Sequence, residues 1–487
     1  MSPQGDSVLG RDPTAWRGRR VAVLGLGVSN IPLVRFLCRQ GAAVSARDQK
    51  TAPELADRIQ ALAGWPVEFR LGPGYLDDLQ GYDYLFLTPG MKKDLPPIEA
   101  ARRAGATVTG EAALFLALCR AHVTGVTGSA GKTTTTALIG QMYRQAGREV
   151  YVGGNIVVGG GNIGRPLIEE VLDIPPQAEV VLELSSFQLQ LCDTSPDISL
   201  VTNLYSAHLD VHASFEEYAW SKQNIFRHQD QRGWAVFNAD DQATRNWPAL
   251  APGSVARFSA TGDHGSAGAF ALGEEAFVRR APGGAVEPVV HRGEVLLPGA
   301  HNWQNLLGAM AATAVAGVPA VAMAGVARAF AGVEHRLELC GVYNGVKAVN
   351  DSIATTPERA IAGLRTLAEP LVLVAGGYDK HISYREWAEA ILQSTVHTVV
   401  LVGQTAMQMK REIQEAADGR GVPGPVTLVA RDFPEAVGLA MSRARPGDTV
   451  LLSPAAASYD LFRNFGERGQ LFKDLVRQWG NGGRATT

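Results

Sequence analysis

A glycine-rich segment at residues 127–136 constrains the fold of this chain more than any other feature. It reads TGSAGKTTTT and directly follows the apolar run HVTGV. In a turn of this composition, backbone N–H groups, the positive end of the following helix and the Lys132 ammonium converge on one small volume that suits an anion. The segment therefore predicts a buried strand, a phosphate-binding loop and a helix.

The segment departs from the general P-loop pattern at one position. Val126 stands where that pattern has a glycine, so a shorter TGxxGKT variant remains. Thr133 or Thr134 would offer a hydroxyl to the Mg²⁺ that accompanies nucleotide phosphates. The alternative is a glycine-rich turn that binds nothing. The residues predicted to contact ATP here are Thr127, Gly128, Ser129, Ala130, Gly131, Lys132, Thr133 and Thr134.

Length and charge narrow the class of protein. A chain of 487 residues is too long for one core and predicts about three domains of ~100–200 residues. With 45 basic and 48 acidic side chains, the formal net charge is -3, which provides no electrostatic surface for nucleic acid or anionic membrane. Small-molecule substrates held by local groups are the expected partners.

Cysteine usage and apolar segments bear on location. The four cysteines lie far apart, without the spacing of a metal site or a disulfide framework, which favours a reducing cytoplasm. The N-terminal segment lacks the apolar core of a signal peptide. Residues 306–327 carry no charge, but their alanines, their glycines and Pro319 favour two packed helices over a membrane span. We therefore predict a cytoplasmic protein without membrane insertion.

The order of strand-like and helix-like runs divides the chain into three blocks. We expect domains at residues 1–119, 120–334 and 335–487. The first opens with the strand-like run RVAVLG, and the second holds the loop strand, the runs VVLEL and ISLVTNL, and a β-rich excursion between about residues 262 and 299. The third alternates helices with VKAVN, LVLVA, TVVLV, VTLVA and TVLLS. This order predicts an α/β protein with parallel sheets and right-handed βαβ units.

The first block contains a weaker glycine pattern. Gly25, Gly27 and Asn30 give G-x-G-x-x-N, and Asp48 lies near the end of the next strand, as in a dinucleotide-binding fold. The third glycine, which allows close helix-to-strand packing, is absent. An NAD-dependent oxidoreductase therefore remains an alternative, beside a diphosphate or ribose site at this helix N-terminus. Thr88-Pro89-Gly90 after the run YLFL is either a ligand-binding strand end or a plain turn.

Three side chains of the second block are candidates for metal chemistry. Glu183 lies in the apolar run VVLELSSFQLQL, where a carboxylate is costly unless it is paired or bound to a metal, although a solvent-facing strand end is the alternative. His208 in SAHLDVH could bind a second metal, orient a substrate or be structural. Lys222 lies on an amphipathic helix, where a solvated lysine is the default expectation.

Longer motifs occur in one characteristic order along the chain. They are TGSAGKTT, GNIGRP, LELSSFQL, HLDVH, YAWSKQNIF, GAHNWQNLLGA, HRLE, NDSIATTP and LLSPAAASYDLFRNFGERG. In this order they resemble the Mur ligases, the ATP-dependent enzymes that add amino acids during peptidoglycan synthesis. The resemblance runs from about Arg20 to Trp479, and the last two motifs resemble the branch that adds D-glutamate.

The resemblance implies an architecture and a reaction. It implies a Rossmann-like UDP-binding domain, a central P-loop ATPase domain with a small β-rich part, and a Rossmann-like C-terminal domain. The carboxylate of UDP-N-acetylmuramoyl-L-alanine would take the γ-phosphate of ATP, and the amine of D-glutamate would then displace phosphate from the acyl phosphate. ATP, two Mg²⁺ ions and CO₂, bound as a carbamate on Lys222, are the implied cofactors. A carbamate makes physical sense there because an ammonium would repel nearby metals.

The resemblance also assigns residues to roles. The implied catalytic residues are Lys132, Glu183, His208 and Lys222, and the implied metal ligands are Thr133, Glu183, His208 and Lys222. Further ATP contacts are Asn302, Asn305, Arg336 and Asp351. Contacts to the UDP substrate are Val28, Ser29, Asp48, Thr88, Gly90 and Asn162. D-glutamate contacts are Thr355, Lys380, Ser458, Tyr459 and Phe465. Without the resemblance, helix capping and packing would be the preferred interpretation of the residues in the third block.

Some positions depart from the family pattern. Ala130 replaces a common asparagine of the loop, and Ala207 replaces an acid before His208. Ile353 replaces the lysine of NDSKAT, and Tyr378 alters a GGDGK-like loop, so we expect redistributed contacts to the substrate carboxylates. The open alternatives are a sister Mur or folylpolyglutamate-type ligase, the NAD-dependent enzyme, and a nucleotide-binding scaffold without catalysis. We expect a monomer.

Overall fold

The computed structural model of the protein describes residues 13–27, 29–154, 166–205, 214–297, 299–379, 382–480 and 482. These residues divide into two compact units, and the division falls between Phe330 and Ala331. The described strands form sheets of five, nine and six strands, with helices between them, which confirms the predicted α/β class. The domain boundaries at 119/120 and 334/335 remain predictions.

The first sheet is parallel throughout and has the order β3-β2-β1-β4-β5. Its strands are β1 Arg20–Leu24, β2 Ala43–Asp48, β3 Val67–Leu71, β4 Tyr84–Leu87 and β5 Thr107–Thr109. Its helices are α1 Asn30–Arg39, α2 Ala56–Ala61, α3 Pro96–Arg103 and α4 Glu111–Leu118. The strand order reverses between β1 and β4, and ligands of open sheets bind at the carboxyl ends of strands at such a point. The predicted strand RVAVLG, the strand that ends near Asp48 and the run YLFL correspond to β1, β2 and β4 and are confirmed.

The second sheet, in the same unit, has the order β14-β13-β12-β11-β10-β9-β6-β8-β7. Its strands are β6 His122–Thr127, β7 Val150–Gly153, β8 Glu179–Glu183, β9 Ile198–Val201, β10 Trp234–Asn238, β11 Ser254–Ser259, β12 Ala267–Leu272, β13 Glu275–Arg279 and β14 Val286–His291. Its helices are α5 Lys132–Gln145, α6 Ser186–Leu189, α7 Phe215–Arg227, α8 Ala300–Val315 and α9 Ala320–Ala329. Strands β12, β13 and β14 pair antiparallel, which confirms the predicted β-rich excursion.

Helices α8 and α9 resolve the question raised by the charge-free segment. The segment is divided between these two helices, as its central Gly-Val-Pro sequence predicted. In the part of the chain that the structure describes, no helix has both the length and the apolar character needed to cross a membrane.

The second unit contains the third sheet, ordered β15-β16-β20-β17-β18-β19. Its strands are β15 Glu338–Tyr343, β16 Val346–Asn350, β17 Leu371–Ala375, β18 Val396–Leu401, β19 Val426–Val429 and β20 Thr449–Leu452. Its helices are α10 Pro357–Leu364, α11 Arg385–Leu392, α12 Ala406–Arg420, α13 Phe433–Arg443 and α14 Phe465–Gly480. Strand β15 alone in this sheet pairs antiparallel, through a turn at Asn344 and Gly345 with φ of 52° and 79°. An Asn-Gly pair is a hairpin signal, but this hairpin was not among the sequence-based predictions.

Apolar side chains on both faces stabilise the third sheet. Along β17, Leu371 and Leu373 belong to one buried cluster, whereas Val372 and Val374 belong to another. Successive side chains of a strand point to opposite faces, so a run without polar residues implies helices on both sides. Each such side chain contributes about 1.5–3 kcal/mol when fully buried. The sheet is therefore a rigid base for the loops at its carboxyl edge.

Candidate active site

The predicted phosphate loop joins β6 to α5 in the first unit. Gly128 and Gly131 have φ of 147° and 82°, a region in which side chains other than glycine are strained. A methyl group at Gly128 would collide with the Thr202 side chain, and one at Gly131 would collide with the Asn305 amide. These glycines are therefore required by both backbone conformation and space.

Residues that follow β9 stabilise the loop through side-chain hydrogen bonds. Thr202 Oγ1 donates to the carbonyl oxygen of Ala130 at 2.6 Å. The Asn203 side chain contacts both polar groups of Ala130, because its Oδ1 accepts from the amide at 2.9 Å and its Nδ2 donates to the carbonyl at 3.3 Å. Asn203 was not among the predicted site residues. Its signal was a polar side chain near the end of the strand-like run ISLVTNL.

Two lysines converge on one carbonyl of the loop. The Nζ atoms of Lys132 and Lys222 donate to the Gly128 carbonyl oxygen at 3.0 and 2.8 Å. Lys222 lies on α7 and is only 1% exposed, and its Nζ is 4.7 Å from the centroid of the Tyr218 ring. The default expectation of a solvated lysine is therefore wrong, because the side chain points into the loop.

Burial and charge both act on Lys222. Desolvation, and then the neighbouring Lys132 cation, hold the pKa of Lys222 well below its ordinary value, while Glu183 acts in the opposite direction. The neutral amine is therefore favoured far more than at an exposed lysine.

Two oxygen side chains of the type that Mg²⁺ prefers meet beside the loop. Thr133 Oγ1, in the first turn of α5, donates to Glu183 Oε2 at 2.9 Å. Strands β6 and β8 are parallel neighbours with Val126 opposite Glu183, and this register brings the carboxylate to the loop. Among the described residues, no group of three or more His, Cys, Asp or Glu side chains could hold a metal ion. His208 lies outside the described residues, as does Ala207. Thr133 and Glu183 fit a Mg²⁺ ion as oxygen ligands.

The N-terminal part of α8 lies beside the same loop. Asn305 is buried against Gly131, and its Nδ2 donates to Asn302 Oδ1 at 3.1 Å. The structure thus places Asn305 at the loop, and Asn302 next to Asn305, although both residues are far from the loop in sequence.

Four residues assigned to the UDP substrate lie at or just after the carboxyl ends of strands in the first sheet: Ser29, Asp48, Thr88 and Gly90. Gly25, with φ of 89°, leaves room for Thr88, whose Cγ2 would lie 2.6 Å from a methyl group at that position. Asp48 Oδ2 accepts from the Leu26 amide at 2.7 Å, so the acid stabilises the glycine turn. Ser29 directly precedes α1, and Gly90 follows β4 with φ of 89°. Val28 and Asn162 lie outside the described residues.

In the second unit, Asp351 follows β16 and is only 4% exposed. It accepts hydrogen bonds from Ser453 Oγ at 3.0 Å and from the Leu337 amide at 3.3 Å. Burial raises the pKa of Asp351 to about 7. Arg336 lies between His335 and Leu337, which have positive φ values of 63° and 43°. The carboxylate of Asp351 thus supports the bent backbone that carries Arg336.

Three residues assigned to D-glutamate lie on loops at the carboxyl edge of the third sheet: Thr355, Ser458 and Tyr459. Ser458 is buried, whereas Tyr459 is exposed and its ring centroid is 6.1 Å from that of Tyr378 in an edge-on arrangement. Phe465 begins α14 and contacts the His335 ring edge-on at 6.1 Å. Thr355 lies between β16 and α10, where its amide donates to the Ile353 carbonyl at 2.8 Å. Lys380 lies outside the described residues.

Comparisons with known proteins give the class of this protein. Three family models match it: "Mur ligase MurD-like, N-terminal domain" at residues 19–110, "Mur ligase middle domain" at 126–313 and "Mur ligase, glutamate ligase domain" at 335–456. The chain belongs to the Mur ligase family. This assignment replaces the alternative of an NAD-dependent oxidoreductase.

Individual relatives sharpen the assignment. A UDP-N-acetylmuramoylalanine–D-glutamate ligase of Symbiobacterium thermophilum is 50% identical over 457 residues, covering 94% of this chain and 97% of the relative. A protein of the same name from Acetivibrio thermocellus is 42% identical over 464 residues, covering 94% and 96%. The solved structure of the UDP-N-acetylmuramate-alanine ligase of Thermotoga maritima has a TM-score of 0.53 at 19% identity, covering 95% of this chain and 100% of that one. This last likeness concerns the fold alone.

Proposed function

We propose that this chain joins D-glutamate to UDP-N-acetylmuramoyl-L-alanine with conversion of ATP to ADP and phosphate. The relatives that match 94% of the chain carry the corresponding name. The observation that carries the proposal is the set of groups around the Gly128 carbonyl. Two lysine Nζ atoms donate to this carbonyl, and the Thr133–Glu183 pair lies beside the same loop.

In the first step, an oxygen of the alanyl carboxylate attacks the γ-phosphorus, the bond to the β–γ bridging oxygen breaks, and ADP leaves. The charge that spreads over the transferred phosphoryl group needs fixed positive groups nearby. The loop amides and the Lys132 ammonium supply them. Asn203 and Asn305 keep the loop in shape, so little reorganisation accompanies the transfer.

In the second step, the amine nitrogen of D-glutamate attacks the acyl carbon, phosphate leaves with the bonding electrons, and the nitrogen loses a proton to give the amide. Thr355, Lys380 and Ser458 are the residues that we propose for the carboxylates of glutamate. Tyr459 and Phe465 would flank them. Contacts to the nucleotide would come from Asn302, Asn305, Arg336 and Asp351, and contacts to the UDP substrate from Val28, Ser29, Asp48, Thr88, Gly90 and Asn162.

Thr133 and Glu183 would hold one Mg²⁺, and His208 with modified Lys222 would serve a second. Bound there, Mg²⁺ supplies positive charge that offsets the charge of the phosphates. The Thr133–Glu183 hydrogen bond of 2.9 Å supports the first of these sites, because both oxygens already point to one place.

We propose that Lys222 carries a carbamate. Its amine nitrogen would bond to the carbon of CO₂ and lose a proton, which converts a cation into an anion. The side chain is buried, and Lys132 lies close enough to disfavour a second ammonium and to favour an anion. A carbamate in this position could bind or orient a metal ion, which an ammonium cannot do.

We also retain the division into domains at residues 1–119, 120–334 and 335–487, a monomeric state and a cytoplasmic location as proposals. The three family models, at 19–110, 126–313 and 335–456, each fall within one of these ranges and so support the division.

A phosphate-release assay with the UDP-linked acceptor and a panel of amino acids tests the function. We expect release that requires both the acceptor and D-glutamate, with a new amide visible by mass spectrometry. Release with L-glutamate, L-lysine or a folate acceptor instead would assign the chain to a sister ligase. Absence of ADP formation with every combination would contradict ligase activity altogether.

A further inference from the structure

The first turn of α14 contains an arginine that is almost completely inside the second unit. Arg468 is 2% exposed and donates four hydrogen bonds. Its Nε donates to Ser352 Oγ at 3.0 Å and its Nη2 to the Ser352 carbonyl at 2.9 Å. Its Nη1 donates to the carbonyls of Ala456 and Ala457 at 3.2 and 3.3 Å. The guanidinium therefore joins the loop after β16 to the loop after β20.

A third loop is attached at the same point. The Tyr378 amide, after β17, donates to the Ala457 carbonyl at 2.9 Å. Gly377 passes so close that a methyl group there would lie 3.2 Å from Arg468 Nη1 and would collide with the Ala457 carbonyl. Three loops at the carboxyl edge of one sheet thus meet around a single guanidinium.

The neighbours of Arg468 in α14 strengthen this connection. Ser352 Oγ, which accepts from Arg468, itself donates to the Phe465 carbonyl at 2.7 Å. Asn350 Nδ2 donates to the Gly469 carbonyl at 3.3 Å. The end of β16 and the start of α14 are therefore held together by bonds on both sides of the arginine.

Arg468 makes no salt bridge with any carboxylate among the residues that the structure describes, so carbonyl and hydroxyl oxygens take its hydrogen bonds. Burial lowers the pKa of Arg468 to about 9, and Asp460 offsets part of this shift. A buried cation of this kind costs free energy unless its donors are satisfied. The planar fork of an arginine can reach acceptors in several directions at once, which a lysine cannot.

We infer that Arg468 is a positioning residue for the amino-acid substrate: it fixes the loops that carry Ser458, Tyr459 and Tyr378 in the arrangement that binds the substrate. The inference rests on the proposed function, because that function assigns the amino acid to these loops. Ser458 directly follows Ala457, whose carbonyl accepts from both Arg468 and Tyr378. A shift of the Ala457 peptide would therefore displace a group that we propose contacts a substrate carboxylate.

The test compares Arg468→Gln and Arg468→Lys with the wild-type full-length enzyme. KM for D-glutamate, KM for ATP, KM for the UDP-linked acceptor and Tm are measured for each protein. We expect KM for D-glutamate to rise about tenfold or more, which corresponds to the loss of one or two hydrogen bonds to a charged group. KM for the UDP-linked acceptor should stay within about twofold, since its described contacts lie in the first unit. KM for ATP should rise less than KM for D-glutamate, although Ser352 directly follows the proposed ATP contact Asp351. The lysine variant should retain part of the function.

Two further variants separate positioning from simple loss of stability. Phe472→Leu changes a buried core side chain of the same helix and serves as a control for lowered Tm. Ser352→Ala removes one acceptor of Arg468 and should give a smaller rise in KM for D-glutamate. It also gives a result if the Arg468 variants do not fold.

Each result of this experiment supports or overturns the inference. If Phe472→Leu reproduces the kinetic profile of the Arg468 variants at matched Tm, or if KM for D-glutamate is unchanged in Ser352→Ala and in every Arg468 variant that folds, the inference is wrong. Wild-type enzyme without any D-glutamate-dependent activity would instead refute the proposed function, and the inference with it.

Discussion

Lys222 in the first unit and Arg468 in the second are both buried cations that have no salt bridge with a described carboxylate, but they differ in how their donors are satisfied. Lys222 in the first unit donates to the Gly128 carbonyl at 2.8 Å and has a longer contact of 3.5 Å to Thr127 Oγ1. Arg468 in the second unit donates to three carbonyls and one hydroxyl. The lysine is poorly satisfied, whereas the arginine has an acceptor for most of its donors.

This difference explains why two buried positive groups can serve opposite purposes. An ammonium with one good acceptor and a cation beside it favours its neutral form, and a neutral amine is a nucleophile. A guanidinium with several acceptors stays charged and holds its neighbours in place. Burial alone therefore does not indicate the role of a basic side chain. The number of hydrogen-bond acceptors around the side chain does indicate it.

The largest effect is expected from Lys222→Arg, which tests whether an amine or merely a positive charge is needed. An arginine keeps the charge but cannot form a carbamate, so we expect kcat to fall about 100-fold or more, the size seen when a group that stabilises transition-state charge is lost. Steady-state kinetics at saturating substrates measure this effect, and circular dichroism checks the fold.

The matched control for that variant is Lys222→Ala. Because alanine leaves a space where the carbamate would be, added short carboxylic acids should restore part of the activity of Lys222→Ala, but not that of Lys222→Arg. A ¹³C signal from labelled CO₂, present in the wild type and missing from both variants, would identify the modification. Full activity of Lys222→Arg would show that the two buried cations do not differ in the way described above.

Gly131→Ala is expected to have the next largest effect, on ATP alone. The added methyl group meets the Asn305 amide at a position where φ is 82°, so the loop has to change shape. A rise of about 30-fold in KM for ATP follows if one or two phosphate contacts are lost, each worth about 1–2 kcal/mol. KM for D-glutamate should stay unchanged, the reverse of the profile expected for Arg468→Gln. A parallel rise of both constants would contradict the separation of the two regions.

Asn203→Ala should weaken the phosphate loop more mildly. The variant loses the two side-chain bonds to Ala130 but keeps the backbone bond from Ser129 to the Asn203 carbonyl. We expect KM for ATP to rise about five- to tenfold, as for the loss of one net hydrogen bond. Thr202, whose hydroxyl also holds Ala130, provides a second variant, and Thr202→Val should act in the same direction. An unchanged KM for ATP in both variants would mean that residues after β9 do not shape the loop.

Much of this architecture could be predicted from the sequence, because apolar runs and glycine turns are local signals. The strand before Lys132 and the five parallel strands of the third sheet are examples. The partners of Lys222 and Arg468 could not be predicted, because Gly128 and Lys222 come together only when β6 and α7 pack. Asn203 is an intermediate case, since its place near the end of the strand-like run ISLVTNL was visible but the strand order that puts β9 beside β6 was not. The resemblance to a family identified Lys222 but gave no reason for its burial.

The smallest effect concerns a buried acid, Asp351, and it is an effect on stability. Its pKa of about 7 is above the ordinary value of 3.8, so the folded state holds a proton that the unfolded state loses between these two values. The free energy of unfolding should therefore fall as pH rises through this range toward about 7. Asp351→Asn keeps the shape without the charge and should raise Tm by about 2–4 °C at about pH 8, with little difference at acidic pH. Scanning calorimetry of both proteins across this range measures the difference.

If the variant is destabilised equally at every pH, the hydrogen bonds from Ser453 and Leu337 satisfy the carboxylate as fully as the carbonyls satisfy Arg468. Hydrogen bonding to the charged form, rather than the cost of burying it, would then govern this acid.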